Sequence, residues 1–531
     1  MGSGRRPGWV LLAGVLCAVL ALTGCSPGTG SGTSQGAPAG ASPGASPGQQ
    51  AAVAPSASWV LQENAKPGDA GWRVTSSEVA GDLQLAGYAD HASIAPGQPV
   101  RLYVTATEPA YTVRAFRLGW YGGKQARLVW SSPQLAGHPQ PAARLAPGRM
   151  VTTTWSPSVT VPTSGWPAGT YLLLLTGTDG KRKYIPLTVR SRVLAHRLVL
   201  INAVTTYQAY NAWGGYSLYH GPGSSFATRA HLVSFDRPYD ANGARIITNY
   251  EQGAIAQAER SGLPLAYLAS TDLAAQASQL RAAAGIVSLG HDEYWTTGMR
   301  AAVSAARDAG TNLAFLGANV DYWRVRLQAS ALGPDRVVAG YKSAAADPVN
   351  GPTTTVKWRS APDPRPENSL VGMLYECFPA QGAMVVIDPS SFLFAGTGAR
   401  RGSSYGGLVG TEIDRAYPIA GTPTDLQVLA HSPVRCGTTK HTFADMSYYT
   451  TASGAGVFAV GTMVWTKALR GADPAFGIGE RSVAFSRTVT ADLLRAMAAG
   501  PMGRAHRARA NLAGLHEASS TSTGTGGTVG S

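Results

Sequence analysis

The stretch Gly290-His291-Asp292-Glu293-Tyr294-Trp295 places an imidazole, two carboxylates and a phenol at the end of the short apolar run Gly285 to Leu289. It reads as a strand that stops at Gly290 and drops into a titratable loop. A helix is predicted from Thr296 or Thr297 to Gly310: Thr is a good N-cap, Met299, Ala302, Val303 and Ala306 share one face, and Gly310 suits the C′ position. A strand that ends in such a loop before a helix N-terminus is where open α/β sheets keep their chemistry. Three other strand ends can supply partners, namely Thr205 to Tyr216, Ser270-Thr271-Asp272 and Gly317-Ala318-Asn319. If their strands are parallel, these loops share one edge. Tyr207 or Tyr210, Asp272, His291, Glu293 and Asn319 can then converge.

Several chemistries are excluded. No GxSxG sits at a strand-to-helix turn, and no Walker loop or dinucleotide-type glycine turn is present. Glutamine-amidotransferase-like sheets place a nucleophilic Cys where this chain has His291, so thiol catalysis has no support. HExxH spacing is absent as well. What remains is an oxygen-rich edge of Tyr and Glu with one His. Phenolate and carboxylate are hard donors that suit a Lewis-acidic ion such as Fe³⁺.

These loops need a scaffold. Leu198 to Asn202 is a nearly continuous apolar strand suited to burial on both faces. Helix (about Tyr250 to Gly262), strand (Leu265 to Leu268), helix (about Leu273 to Ala284), strand (Ile286 to Leu289), helix and strand (Asn312 to Gly317) follow it. That alternation predicts a mostly parallel α/β domain over 193–512. Upstream, residues 61–192 carry short alternating strands punctuated by Pro96-Gly97, Gly122-Gly123, Pro147-Gly148 and Asp179-Gly180, the pattern of a β-sandwich. The expected fold class is therefore two-domain, an all-β sandwich followed by a glutamine-amidotransferase-like α/β domain.

At 531 residues the chain is too long for one small core, and its charged fraction of 14% with 64 Gly and 34 Pro marks a loop-rich protein. The net charge of +14 is not organised into the basic and aromatic stripes of a nucleic-acid binder. Arg5-Arg6 precede an apolar run from Trp9 to Leu22 that ends in Leu22-Thr23-Gly24-Cys25. This resembles the lipobox of bacterial lipoproteins, which implies a signal peptide over 1–24, lipid on Cys25 and anchorage to the outer face of the cell membrane. A Gly/Ser/Ala/Pro stalk over 25–60 and a tail over 513–531 are expected to be disordered. Cys377 and Cys436 remain, and they can form one disulfide or stay as two buried thiols.

One resemblance covers most of the chain. Thr206 to Gly215, Gly290 to Trp295, Leu316 to Asn319, Tyr322 to Arg326 and Val409 to Arg415 resemble the large (β) subunit of N,N-dimethylformamidase, as do Arg117 to Gly123 and Trp166 to Tyr171. That family hydrolyses dimethylformamide to formate and dimethylamine with a mononuclear iron held by two tyrosines and a glutamate. The resemblance implies Glu293, Tyr210 and Tyr171 as iron ligands, with Tyr207 competing with Tyr210. Tyr171 would then bring the site to the interface with the β domain. Glu412, His291, Asn319 and Lys342 would form the surrounding shell: Glu412 or His291 moving protons, Asn319 or Lys342 steadying an oxyanion. The implied partner is a small amide, and a homo-oligomer is compatible; the family's small subunit is not in this chain. The competing reading is a non-catalytic envelope lipoprotein that binds a sugar or peptide in a crevice lined by Trp213, Trp295 and Trp323.

Overall fold

The structure is a computed structural model that describes residues 58–515. The leader, Cys25, the stalk before Ser58 and the tail from 516 lie outside the described residues. The fold begins slightly earlier than expected, because Trp59–Asn64 is a helix with Val60 fully buried. It also ends slightly later, since Leu515 packs on the core.

Leu85–Ala89, Val100–Ala106 and Val159–Val161 form a three-stranded antiparallel sheet. It faces a six-stranded sheet built around Ala110–Leu118, Gly169–Gly177 and Arg182–Val189. Leu102 and Val104 from the first sheet and Val113, Leu173 and Ile185 from the second make the sandwich core. Side chains alternate along a strand, so Tyr171, Leu173 and Leu175 point into this core. Leu172 and Leu174 point the other way, into a second core shared with the α/β layer. The centre of the six-stranded sheet is dry on both faces, which is why its strand reads Leu172-Leu173-Leu174-Leu175 without a polar break. Residues around 192 thus join two layers with a common core, and the described residues form one compact unit.

A fully buried ion pair locks these layers. Arg117 from the sandwich strand meets Glu259 from the helix Gln252–Arg260 at 2.6 and 3.2 Å. Arg117 also donates to Tyr121 Oη and to the Ala168 carbonyl, while Glu259 accepts from Tyr267 and Asn64.

The α/β layer is one nine-stranded sheet. Its order is Leu265–Ala269, Leu198–Asn202, Gly285–Ser288, Asn312–Phe315, Gly456–Ala459, Lys440–Thr450, Gln427–Cys436, Leu374–Val385, Ser404–Arg415. The first five strands are parallel, and every pairing after Gly456–Ala459 is antiparallel. The expected mostly parallel sheet is therefore parallel in one half only. The alternating helix signal stops at Gly317, and the strands beyond it are long and joined without helical crossovers. The predicted helix after Glu293 is present as Thr297–Asp308, with the Thr296 hydroxyl accepting from Met299 N at 3.1 Å and the expected four residues buried. The alanine-rich segment predicted over 273–284 is helical only at Ala277–Leu280. Asp272 holds its start as a turn by accepting from Ala269 N and from Ser93 Oγ of the sandwich. A disulfide joins Cys377 to Cys436 across neighbouring antiparallel strands. Among the described residues no helix is long and apolar enough to cross a membrane.

Candidate active site

The first strand of the parallel half, Leu198–Asn202, lies between the second (Leu265–Ala269) and the third (Gly285–Ser288). The direction of winding reverses between the first and third strands, and ligand crevices of open α/β sheets lie at such a reversal. The helix Val204–Tyr210 follows the first strand directly and delivers Tyr210; the loop after it delivers Tyr219. Glu293 and His291 follow the third strand, and Asn319 follows the fourth. This loop cluster is tied down by backbone: Tyr322 N and Trp323 N donate to the Glu293 carbonyl at 3.0 and 2.9 Å. Gly317 is obligatory here, because a Cβ at that position would lie 2.1 Å from the Gly290 carbonyl oxygen. Arg237 fixes the other loop by donating to the carbonyls of Asn211, Trp213 and Tyr216 at 2.8 to 2.9 Å.

Oxygen atoms converge at this point. Tyr210 Oη donates to Glu293 Oε2 at 2.7 Å, Tyr219 Oη donates to Glu293 Oε1 at 2.5 Å, and the two phenol oxygens are 3.2 Å apart. His291 Nε2 lies 2.8 Å from Tyr210 Oη and 3.3 Å from Glu293 Oε2. Asn319 Nδ2 bridges the two carboxylates, at 3.1 Å from Glu293 Oε1 and 2.7 Å from Glu412 Oε2. Lys342 donates to Tyr294 Oη at 2.6 Å and sits 3.3 Å from the centre of the Tyr219 ring. The cluster opens into a cavity of about 830 Å³ walled largely by aromatic side chains.

Burial and charge set the protonation states. Burial pushes Glu293 up, but the hydrogen bond and charge of His291, helped by Lys342, outweigh it and hold the carboxyl below its usual range. Burial lifts Glu412 to about 7. Burial lowers Lys342 to about 7 against the pull of Glu293. For His291 burial is overcome by Glu412 and Glu293, which raise it to about 9. Tyr210 and Tyr219 are held well above the phenol range, first by burial and then by Glu293.

Of the residues expected here, Tyr210, His291, Glu293, Asn319, Lys342 and Glu412 all line the cavity. Tyr171 does not. Its parity turns it into the sandwich core, stacked on Trp166 with its hydroxyl donating to the Pro167 carbonyl at 2.6 Å. Tyr207 is committed to Glu251 in the core, and Asp272 to Ser93. Tyr210 is thus the tyrosine of the pair that faces the site. Tyr219 stands as the second phenol, and the sequence reading passed it over by stopping at Tyr216. Its signal was available, as another tyrosine in the loop of the same strand, nine residues past Tyr210. Tyr294 is expected only as part of the loop, yet its hydroxyl accepts a hydrogen bond from Lys342 Nζ. The tryptophan-lined crevice is not formed: Trp213 and Trp295 lie in separate cores, and of the three only Trp323 reaches the cavity. Among the described residues no group of three His, Cys, Asp or Glu side chains could hold a metal ion. Any metal site here depends on the tyrosines.

Fold and site together define an α/β protein with an oxygen-lined pocket at the sheet's winding reversal, backed by a β-sandwich. Residues 112–477, more than half of the chain, match the family described as N,N-dimethylformamidase beta subunit-like, C-terminal, and the protein belongs to that family. No curated protein matches the chain. Among solved structures, a Paenibacillus sp. cycloisomaltooligosaccharide glucanotransferase complexed with cycloisomaltoheptaose is similar over 25% of this chain and 18% of its own. The identity is 14% and the TM-score 0.14, so that likeness carries no argument about fold or function.

Proposed function

We propose that the protein is an iron-dependent amide hydrolase, with Tyr210, Tyr219 and Glu293 as the residues that hold the metal. The observation that carries this reading is the convergence of their oxygens at 2.5 to 3.2 Å on the wall of the cavity. The donor set fits a hard trivalent ion. Burial and Glu293 keep both phenols protonated as they stand, and a cation is the partner that would make phenolates favourable in so dry a place. When bound, iron supplies a Lewis acid that polarises the amide carbonyl and acidifies water.

The remaining work falls to the chain. In the overall reaction water adds its oxygen to the carbonyl carbon, the C–N bond breaks, and the leaving amine takes a proton. Glu412 has one oxygen held by Asn319 Nδ2, while the other has no protein donor among the described residues. It therefore accepts the proton from water and returns one to the amine nitrogen. Asn319 Oδ1 is buried without a donor, an acceptor available to water or to an amide N–H. His291 and Lys342 offset the negative charge of the two glutamates; each lies within the same cluster. The reading also includes tethering to the membrane through Cys25, supported by the lipobox-like sequence alone.

The test is metal analysis with a visible spectrum of the protein prepared with iron. Stoichiometric iron and a tyrosinate charge-transfer band are expected, lost in Tyr210→Phe and Tyr219→Phe and kept in Tyr171→Phe. A protein that takes up no iron, or a band that vanishes only with Tyr171→Phe, refutes the assignment.

A further inference from the structure

The cavity is far larger than the smallest amides require. At about 30 Å³ per heavy-atom group, an amide with five heavy atoms, such as dimethylformamide, fills roughly 150 Å³ of the approximately 830 Å³ available. The space is of drug-sized ligand dimensions, which run to about 1,000 Å³. Its wall is formed by Phe226, Tyr250, Tyr322, Trp323, Tyr375 and Phe378. Phe226 and Phe378 are 50% and 60% exposed, among the few large apolar side chains left in water, and both stand on this cavity. Exposed aromatics at a pocket mark a place where apolar surface is to be covered.

A cation marks one end of that wall. Lys357 lines the cavity with its ammonium 5.3 Å from the Tyr322 ring and 5.9 Å from the Trp323 ring. The neighbouring cations are neutralised, Arg359 by Glu367 at 2.7 Å and Arg245 by Asp240 at 3.5 Å. No carboxylate among the described residues pairs with Lys357. The Trp323 ring also lies 4.7 Å from Lys342 Nζ, so one indole separates the oxygen cluster's lysine from Lys357.

Resting on the hydrolase reading, we infer that the substrate is an arylamide bearing a carboxylate: the amide at Glu293 and Glu412, the ring against Trp323 and Tyr322, the carboxylate at Lys357. Aromatic stacking and a charge-assisted hydrogen bond in a half-buried place are the recognition elements. Water cleaves the amide to a carboxylate and a ring-bearing amine.

The experiment uses the full-length, iron-loaded protein with 4-acetamidobenzoate, its methyl ester and dimethylformamide, reading amine release and quenching of tryptophan fluorescence. The kcat/KM for 4-acetamidobenzoate is expected to exceed that for dimethylformamide by at least 100-fold. Lys357→Met is expected to raise KM for 4-acetamidobenzoate at least tenfold more than for the ester, and Lys357→Arg to restore it. Equal or better turnover of dimethylformamide overturns the substrate class, as does an equal effect of Lys357→Met on acid and ester. Lys357-dependent binding of 4-acetamidobenzoate with no turnover of any amide upholds the ligand class and overturns the hydrolase reading instead.

Discussion

Replacing Arg117 with methionine strips one partner from an ion pair in which both side chains are 0% exposed. Glu259 would lose its cationic partner in the dry layer between sandwich and α/β sheet and keep only the hydroxyl of Tyr267 and the amide of Asn64. Breaking a buried pair from one side costs about 3–5 kcal/mol, mostly the desolvation of the orphaned charge. Unfolding entropy is about 2.1 cal/mol/K per residue. Over the roughly 460 described residues this gives about 1 kcal/mol/K, so Tm should fall by about 3–5 °C. Calorimetry reads this directly. Because the pair is shielded from solvent, the shift should be the same in 0.1 and 0.5 M salt at about 10 and 4–5 Å screening length. The double variant Arg117→Met/Glu259→Leu, which removes both charges, should recover more than half of the loss. A single-variant shift under about 1 °C, or a double variant that loses the sum of the two singles, would refute the argument that charge burial dominates here.

Three further outcomes are expected. Arg237→Met leaves three loop carbonyls without their guanidinium donor; it should release Tyr219 and lower iron affinity about 10-fold or more, read by competition with a chelator, and unchanged affinity would show that the loop holds itself. Asp347 is held down at about 2, where burial is outweighed by the hydrogen bonds from Arg326 and Thr355. Its folded pKa lies below the unfolded value of about 3.9, so its contribution, about 2 kcal/mol once solvent screening is discounted, is full above pH 4 and fades as pH falls toward 2. Urea titrations of wild type and Asp347→Asn should therefore differ at pH 6 and converge only as pH falls to about 2, and a gap that does not change with pH would contradict this. Opening the Cys377–Cys436 bridge, whose partners are 59 residues apart, by Cys377→Ser/Cys436→Ser should cost about 4 kcal/mol by the chain-entropy estimate. A loss below about 1 kcal/mol in denaturant titration would place the cross-link outside the stability of the sheet.

What was legible in the sequence follows the range of the interactions involved. The strand ending at Gly290, the Thr296 cap and the helix to Asp308 rest on neighbours a few residues apart, and they were readable. So was the convergence of Tyr210, His291, Glu293 and Asn319, because parallel strands bring their following loops to one edge. The antiparallel half of the sheet was not, since no crossover or turn signal after Gly317 states which long strand pairs with which. Tyr171 shows the limit most sharply. Its place in a motif made it a ligand candidate, but which face of a strand a side chain takes depends on parity, and in a strand buried on both faces a polar residue such as Thr170, hydrogen-bonded to Asn202, marks no solvent side. Tyr219 was missed for a related reason: it comes to Glu293 through a loop held by Arg237, a contact between residues with no common periodicity.

The doubly dry sheet also has a consequence in time. On the ribosome its strands are complete at Val189, yet the strand Leu265–Ala269 and the helix Gln252–Arg260, which pack on its second face, end only by Ala269. At about 5–20 residues per second, those roughly 80 residues take about 4–16 s to appear. For that interval the nascent sandwich presents Leu172, Leu174, Phe116 and Leu118 with no native cover. Over that interval the sandwich is expected to need a holding chaperone, and truncations that end shortly after Val189 should be recovered as aggregates rather than as a free β-sandwich.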